Sequence, residues 1–231
     1  MYLKRALFSL VLLTVVSCGL KSVEDGFEQN GVHTINTGFV SAFAIPISDS
    51  EVILVDSGGE EDAASLKIGL EALGYGLDDV THVFITHGHK DHVAALELLD
   101  SALKVGFAQD EPLIEEKLGK KVVLDLPIDD GERMMVGDVM VEAFHLPGHT
   151  PGNATYLINN VMLMGDTAMA NEDGSVGVPP EFFSSDALAV KDRIKDLWSR
   201  LENRTDDVEW MFFAHTGPLQ GTNALKTYSV E

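Results

Sequence analysis

The sequence predicts an α/β sandwich with mixed sheets. Before Pro127, short apolar runs of strand length alternate with amphipathic helical segments. After it, paired strands dominate, and a long helix then precedes a last apolar strand. A length of 231 residues suits one domain with a substantial core, and 45% apolar against 23% charged residues is ordinary globular composition.

The N-terminus reads differently from the rest. Lys4 and Arg5 precede an apolar run, Ala6 to Val16, broken only by Ser9 and Thr14 and followed by Ser17 and Cys18. A basic start, a short apolar stretch and small residues at the exit have the layout of a secretory signal, too short to span a bilayer comfortably. Val15-Val16-Ser17-Cys18 resembles the lipobox of bacterial lipoproteins, in which cleavage leaves a lipid-modified cysteine at the new N-terminus. The expectation is a signal peptide over 1–17, a lipid anchor on Cys18 and a body working in the bacterial periplasm or cell envelope. A plain cleaved signal and an uncleaved anchor are the alternatives. Residues 18–31 are polar and read as a tether, leaving 32–231 as one domain without internal repeats.

Each element then follows from its pattern. Val52 to Val55 is a continuous apolar strand ending in the turn Asp56-Ser57-Gly58-Gly59. Asp62 to Leu73 suits a helix with Leu66, Leu70 and Leu73 on one face. A strand over His82 to Ile85 leads through a loop to an apolar helix over Val93 to Leu99. Lys104 to Ala108 is a strand, and Leu113 to Leu118 a short helix. Val139 to His145 is a further strand, and Thr155 to Ile158 pairs with Val161 to Met164 across Asn159-Asn160, since Asn tolerates positive φ. Ala187 to Leu201 is the clearest helix, with Val190, Ile194, Leu197, Trp198 and Leu201 as its core stripe, and Trp210 to Ala214 is the last buried strand.

Charge and cysteine count narrow the chemistry. Sixteen Lys+Arg against 37 Asp+Glu give a net charge of −21, and losing Lys4 and Arg5 with the leader makes it −23. Such a chain is repelled by phosphate backbones, which makes nucleic acid a poor partner; the partner expected is a small-molecule substrate. With Cys18 as the single cysteine, no intrachain disulfide or cysteine-ligated zinc site is possible in the body.

The ligand-type residues are concentrated. His87-Gly88-His89-Lys90-Asp91-His92 directly follows a strand and packs three histidines and a carboxylate into six residues. Crowded imidazoles beside a carboxylate suit a divalent metal far better than a core. His87 and His89 can converge on one ion, while Asp91 and His92 turn toward a second at the helix start. His149, Asp166 and His215 each stand just past an apolar strand, where rigid elements present side chains to a common edge.

This series, His87-x-His89-x-Asp91-His92 followed by His149, Asp166 and His215, resembles the metallo-β-lactamase superfamily, over roughly Thr37 to Pro218. The resemblance implies a four-layer αββα sandwich with the metals at one edge between the sheets. It implies His87, His89 and His149 on a first zinc, Asp91, His92 and His215 on a second, and Asp166 bridging them. Asp56 would support the site or simply form a turn. Two zinc ions would lower the pKa of a bridging water from about 15.7 to near 7, and the hydroxide would attack an ester, thioester, lactone or lactam. Asp91 is the candidate proton acceptor.

Departures sort the subfamilies. Cysteine-ligated β-lactamases need a cysteine where Asp166 stands, and oxygen-reducing diiron relatives place Glu where His89 stands. Asp166 is similar to the bridging residue of glyoxalase II-type thioesterases and lactonases. Only 16 residues follow His215, which argues against a glutathione-holding extension, and Thr167 to Ala170 lacks the tyrosine usual in lactonases. Two other classes remain: a persulfide dioxygenase with one iron, and a non-catalytic metal-binding protein on the same fold. His33, His82 and His145 read as structural, Trp198 and Trp210 as core, and the eight methionines as core filler. The segment 174–185, with Phe182-Phe183, is either a pocket wall or a packed loop.

Overall fold

The computed structural model describes residues 19–229, and the expected signal peptide and Cys18 lie outside them. The first sheet holds β1 (Glu28–Gln29), β2 (Val32–Asn36), β3 (Ser41–Ser48), β4 (Glu51–Val55), β5 (Val80–Phe84), β6 (Leu103–Gly106) and β7 (Leu126–Pro127), in that spatial order. Its first four strands pair antiparallel and the rest parallel, across α1 (Ala64–Ala72), α2 (Lys90–Val93) and α3 (Glu111–Leu118). Next come β8 (Arg133–Val136), β9 (Val139–His145), β10 (Ala154–Ile158) and β11 (Val161–Leu163). A two-stranded ribbon of β12 (Met169–Ala170) and β13 (Val176–Gly177), α4 (Ala187–Leu201), β14 (Trp210–Phe212) and β15 (Leu219–Gln220) complete the chain. The second sheet runs β15-β14-β11-β10-β9-β8.

Side-chain alternation explains why the apolar runs are continuous. Ala44, Leu54 and Val83 join the cluster under α1, α2 and α3, while Phe43, Ile53, Val55 and Phe84 face the second sheet. There they meet Tyr156, Ile158, Leu163 and Phe212. On the outer side of the second sheet, Leu157, Met162 and Met211 pack on Val190, Ile194, Leu197 and Leu201 of α4. Three apolar layers between helices, sheet, sheet and helix make the αββα sandwich. Central strands covered on both faces must be apolar at every position, which is why periodicity alone cannot separate them from short buried helices.

Several expectations change. The helix over Val93 to Leu99 ends at Val93 and resumes only as a 3-10 turn at Leu96–Leu98, because Val93 bridges Gly58 and the Ala94 amide donates to the Gly58 carbonyl. Trp210 is half-buried, packing against the edge of the core between the two sheets and on Phe27. β2 and β3 carry no strong alternation in sequence.

The 18–31 tether is corrected most. Its described part lies against the domain: the Lys21 amide donates to Ala170 O, the Gly217 amide donates to Lys21 O, and Lys21 Nζ donates to Pro218 O at 2.6 Å. A Cβ on Gly217 would overlap the Ser22 carbonyl, so a glycine there admits the strap. Polar composition here reflects an exposed segment held by backbone pairing, not a free linker. Among the described residues no helix is long and apolar enough to cross a membrane.

Candidate metal centre

The ends of β4, β5, β6, β11 and β14 and the β9–β10 loop meet at one edge of the sandwich and bring the predicted ligands together. His87, His89 and His149 offer nitrogens within 4.8 Å of one another, as do the ligand atoms of His87, His92 and Asp166 and those of Asp91, His92 and His215. His87 Nε2 and His149 Nε2 each lie 3.0 Å from His89 Nδ1. Asp91 Oδ2 is 3.8 Å from His92 Nε2 and 3.4 Å from His215 Nε2. Between the two groups, Asp166 Oδ2 is 3.4 Å from His149 Nε2 and 3.3 Å from His215 Nε2, and its Oδ1 is 3.6 Å from His92 Nε2.

Outer hydrogen bonds decide which nitrogen faces inward. His92 Nδ1 donates to Asp56 Oδ2 at 2.8 Å, and His215 Nδ1 donates to the Phe39 carbonyl at 2.7 Å. His87 Nδ1 is 3.1 Å from Thr86 Oγ1, and His149 Nδ1 is 3.2 Å from Ser184 Oγ. All four therefore turn Nε2 toward Asp166, while His89 presents Nδ1, an arrangement that fixes ring orientation for ligation. Asp56 is fully buried with φ 61°, and also accepts from the Thr86 amide and hydroxyl. It is thus a support for His92 and Thr86 as well as a turn residue.

The donor set fits divalent cations on grounds internal to the chain. His92 Nε2 and Asp166 Oδ1 are buried without a hydrogen-bond partner, although buried polar atoms are nearly always satisfied. Burial holds His87 well below the usual imidazole range and His149 at about 4, and lowers His89, so the first group is neutral and ready to ligate. Burial opposes charge on His215, yet its hydrogen bonds to Asp166 and Asp91 push it up to about 10. Asp166 is held far below the usual carboxylate range by the surrounding histidines, chiefly His92, despite its burial.

Sequence reasoning missed Asp110. Buried after β6, it accepts from the Gly88 amide at 2.8 Å, Thr150 Oγ1 at 2.6 Å and the Gly152 amide at 2.6 Å. It thereby ties the His87–His89 turn to the His149 loop. A Cβ on Gly152 would stand 2.8 Å from Asp110 atoms, so that close approach needs glycine. Asp110 occupies a strand exit like Asp56 and Asp166, which was the available signal. Asp110→Ala strands three buried donors, and a loss of about 3 kcal/mol or more is expected in urea unfolding of the metal-free protein. His145, by contrast, donates to the Pro151 carbonyl and stacks on Phe107, as a structural histidine does.

Comparison with known proteins agrees with this architecture. Residues 35–215 match the family model of the metallo-beta-lactamase superfamily. The hydroxyacylglutathione hydrolase of Brucella anthropi is 31% identical over 147 residues, 62% of this chain and 54% of that protein. That of Pseudomonas paraeruginosa is 34% identical over 114 residues, 46% of this chain and 41% of that protein. The chain thus spans about half the length of the curated relatives it matches. A metallo-beta-lactamase family protein of Thermus thermophilus superposes with a TM-score of 0.65 at 21% identity, covering 86% of this chain and 78% of that one. A subclass B3 metallo-beta-lactamase of Bradyrhizobium japonicum superposes with a TM-score of 0.60 at 18% identity, covering 85% and 79%. These structures share the fold, and with the family match over most of its length, this chain belongs to the metallo-beta-lactamase superfamily.

Proposed function

We propose that the protein is a hydrolase with a dinuclear zinc site, acting on the carbonyl of an ester, thioester, lactone or lactam. The observation that carries this reading is Asp166, one carboxylate within 4.0 Å of nitrogens from both histidine groups. His87, His89 and His149 would hold one ion, Asp91, His92 and His215 the other, and Asp166 would join them. Bound zinc supplies Lewis acidity and a water acidic enough to ionise near neutral pH. Asp91 is the chain's own proton acceptor: its side chain is 26% exposed, and its Oδ2 faces His92 and His215, leaving the other oxygen to pass a proton to solvent. The hydroxyacylglutathione hydrolases among the relatives favour a thioester.

A single-iron dioxygenase would need only the first group, and Asp91, His92 and His215 would then converge without a purpose. Full-length protein expressed without added metal is expected to carry close to two zinc ions per chain by plasma mass spectrometry. About one iron and little zinc would overturn the proposal. Zinc-loaded protein inert toward esters, thioesters, lactones and lactams would point to a binding protein instead.

Lys4-Arg5, the Ala6–Val16 run and Val15–Cys18 support export and lipid attachment at Cys18. Cys18→Ser is expected to shift the protein from the membrane fraction to the soluble fraction of the producing cell.

A further inference from the structure

The three exposed phenylalanines among the described residues lie on segments bonded to candidate metal ligands. Phe39 is 71% exposed, Phe182 80% and Phe183 57%. The Phe39 ring stacks on His215 at 5.9 Å and 10°, while its carbonyl holds His215 Nδ1. Its turn is stiff: Thr37 bonds the Val40 carbonyl through both amide and hydroxyl, at 2.8 and 3.0 Å, and Gly38 takes φ 102°. Thr37 Oγ1 also accepts from Gly59, the neighbour of Asp91.

Phe182 and Phe183 pack on each other at 4.2 Å, immediately before Ser184, whose hydroxyl meets His149. The Ser185 and Asp186 amides donate to the carbonyls of His149 and Gly148, fastening this segment along the His149 loop. Phe39 therefore stacks on a member of the second ligand set, and the Phe182–Phe183 pair lies on the segment bonded to His149 of the first. Both segments are tied down by backbone hydrogen bonds, Thr37 to Val40 in the first and Ser185 and Asp186 to the His149 loop in the second.

Presenting three phenylalanines to water forgoes burial of a large apolar area, and such patches mark binding sites. Charge points the same way. Lys90, the one cation in the ligand segment 86–92, is paired with Glu61 at 2.5 Å, and the chain carries −21 overall. This rim is suited to an uncharged apolar group and poorly suited to a polyanionic carrier.

We propose that Phe39 and the Phe182–Phe183 pair form the specificity site for an apolar acyl chain or aryl group attached to the scissile carbonyl. The inference rests on the hydrolase reading for its substrate, but the apolar site can be read separately by binding. Straight-chain acyl thioesters of N-acetylcysteamine, from acetyl to decanoyl, are to be assayed with zinc-loaded full-length protein. Acetate, hexanoate and decanoate are to be titrated calorimetrically into the same protein.

From acetyl to decanoyl, kcat/KM is expected to rise at least thirtyfold, mainly through KM, and decanoate to bind at least thirtyfold tighter than acetate. Phe39→Ala, which keeps the carbonyl on His215, and the double variant Phe182→Ala with Phe183→Ala should each cut those decanoyl-to-acetyl ratios at least fivefold. Metal content measured alongside reports whether the centre is intact. A flat chain-length profile in both assays, or ratios unchanged in both variants, overturns the proposal. If no thioester turns over while the carboxylate preference holds and the variants erase it, the hydrolase reading falls and the apolar site stands.

Discussion

Asp166→Ala is expected to lower hydrolysis by at least about a thousandfold, about 4 kcal/mol of transition-state stabilisation. The carboxylate contacts His149 and His215 through Oδ2 and His92 through Oδ1, so its removal takes an oxygen from both ligand sets at once. No other carboxylate in the three candidate metal-holding groups reaches the first set; Asp91 belongs only to the second. Metal analysis of the variant should show one ion per chain or fewer where the parent has two. Retention of both ions with activity within tenfold of the parent would refute the bridging role. Asp91→Ala should differ, weakening the second ion while the His87–His89–His149 group still holds the first.

Asp56→Asn is the second large effect, expected in stability and in the second metal together. Asp56 is fully buried and accepts from the Thr86 amide at 2.8 Å, the Thr86 hydroxyl at 2.7 Å and His92 Nδ1 at 2.8 Å. An amide replaces one acceptor oxygen with a donor, so at least one of these buried donors must lose its partner. Asn tolerates the left-handed φ of 61° at this position, so backbone strain does not contribute.

About 2 kcal/mol of stability should be lost on urea unfolding of the metal-free chain, the usual scale for a stranded buried donor. Nitrogen-15 NMR of the ring should show His92 losing its preference for a proton on Nδ1. The second zinc equivalent should weaken at least tenfold in competition with a chromophoric chelator, as for other lost outer partners of metal-bound histidine. Unchanged affinity and an unchanged His92 tautomer would show that Asp56 is only a turn former.

Both experiments probe a centre whose candidate ligands were legible in the chain and whose supports, Asp56 apart, were not. The candidate ligands stand out because metal binding demands particular side-chain types at short spacing, and four of the seven fall between His87 and His92. The last three, His149, Asp166 and His215, each follow an apolar strand, a local pattern. Helix α4 was legible for the same reason, its five core residues falling on one stripe that the structure buries. So was the turn at Asn159-Asn160, where both residues adopt positive φ, 49° and 62°.

Elements whose character is set by distant neighbours were not legible. β3 begins Ser41-Ala42-Phe43-Ala44, too small and mixed to stand out, yet all four residues are buried because both faces of the strand are covered. The segment before β1 looked like a linker, since its bonds run to Ala170 and Gly217, far along the chain.

By itself, then, the sequence determined the family, the mixed α/β sandwich and the seven ligand-type residues, all of which rest on residue type and local period. Tertiary structure alone decided which ring nitrogen each histidine turns inward, through Asp56, Thr86, Phe39 and Ser184. It also made Asp110 the tie between two ligand loops and set three exposed phenylalanines on segments bonded to His149 and His215. The physical reason is range: a hydrogen bond from His215 to Phe39 joins residues 176 positions apart, and no local period records which of many carbonyls the folded sheets will set opposite that ring.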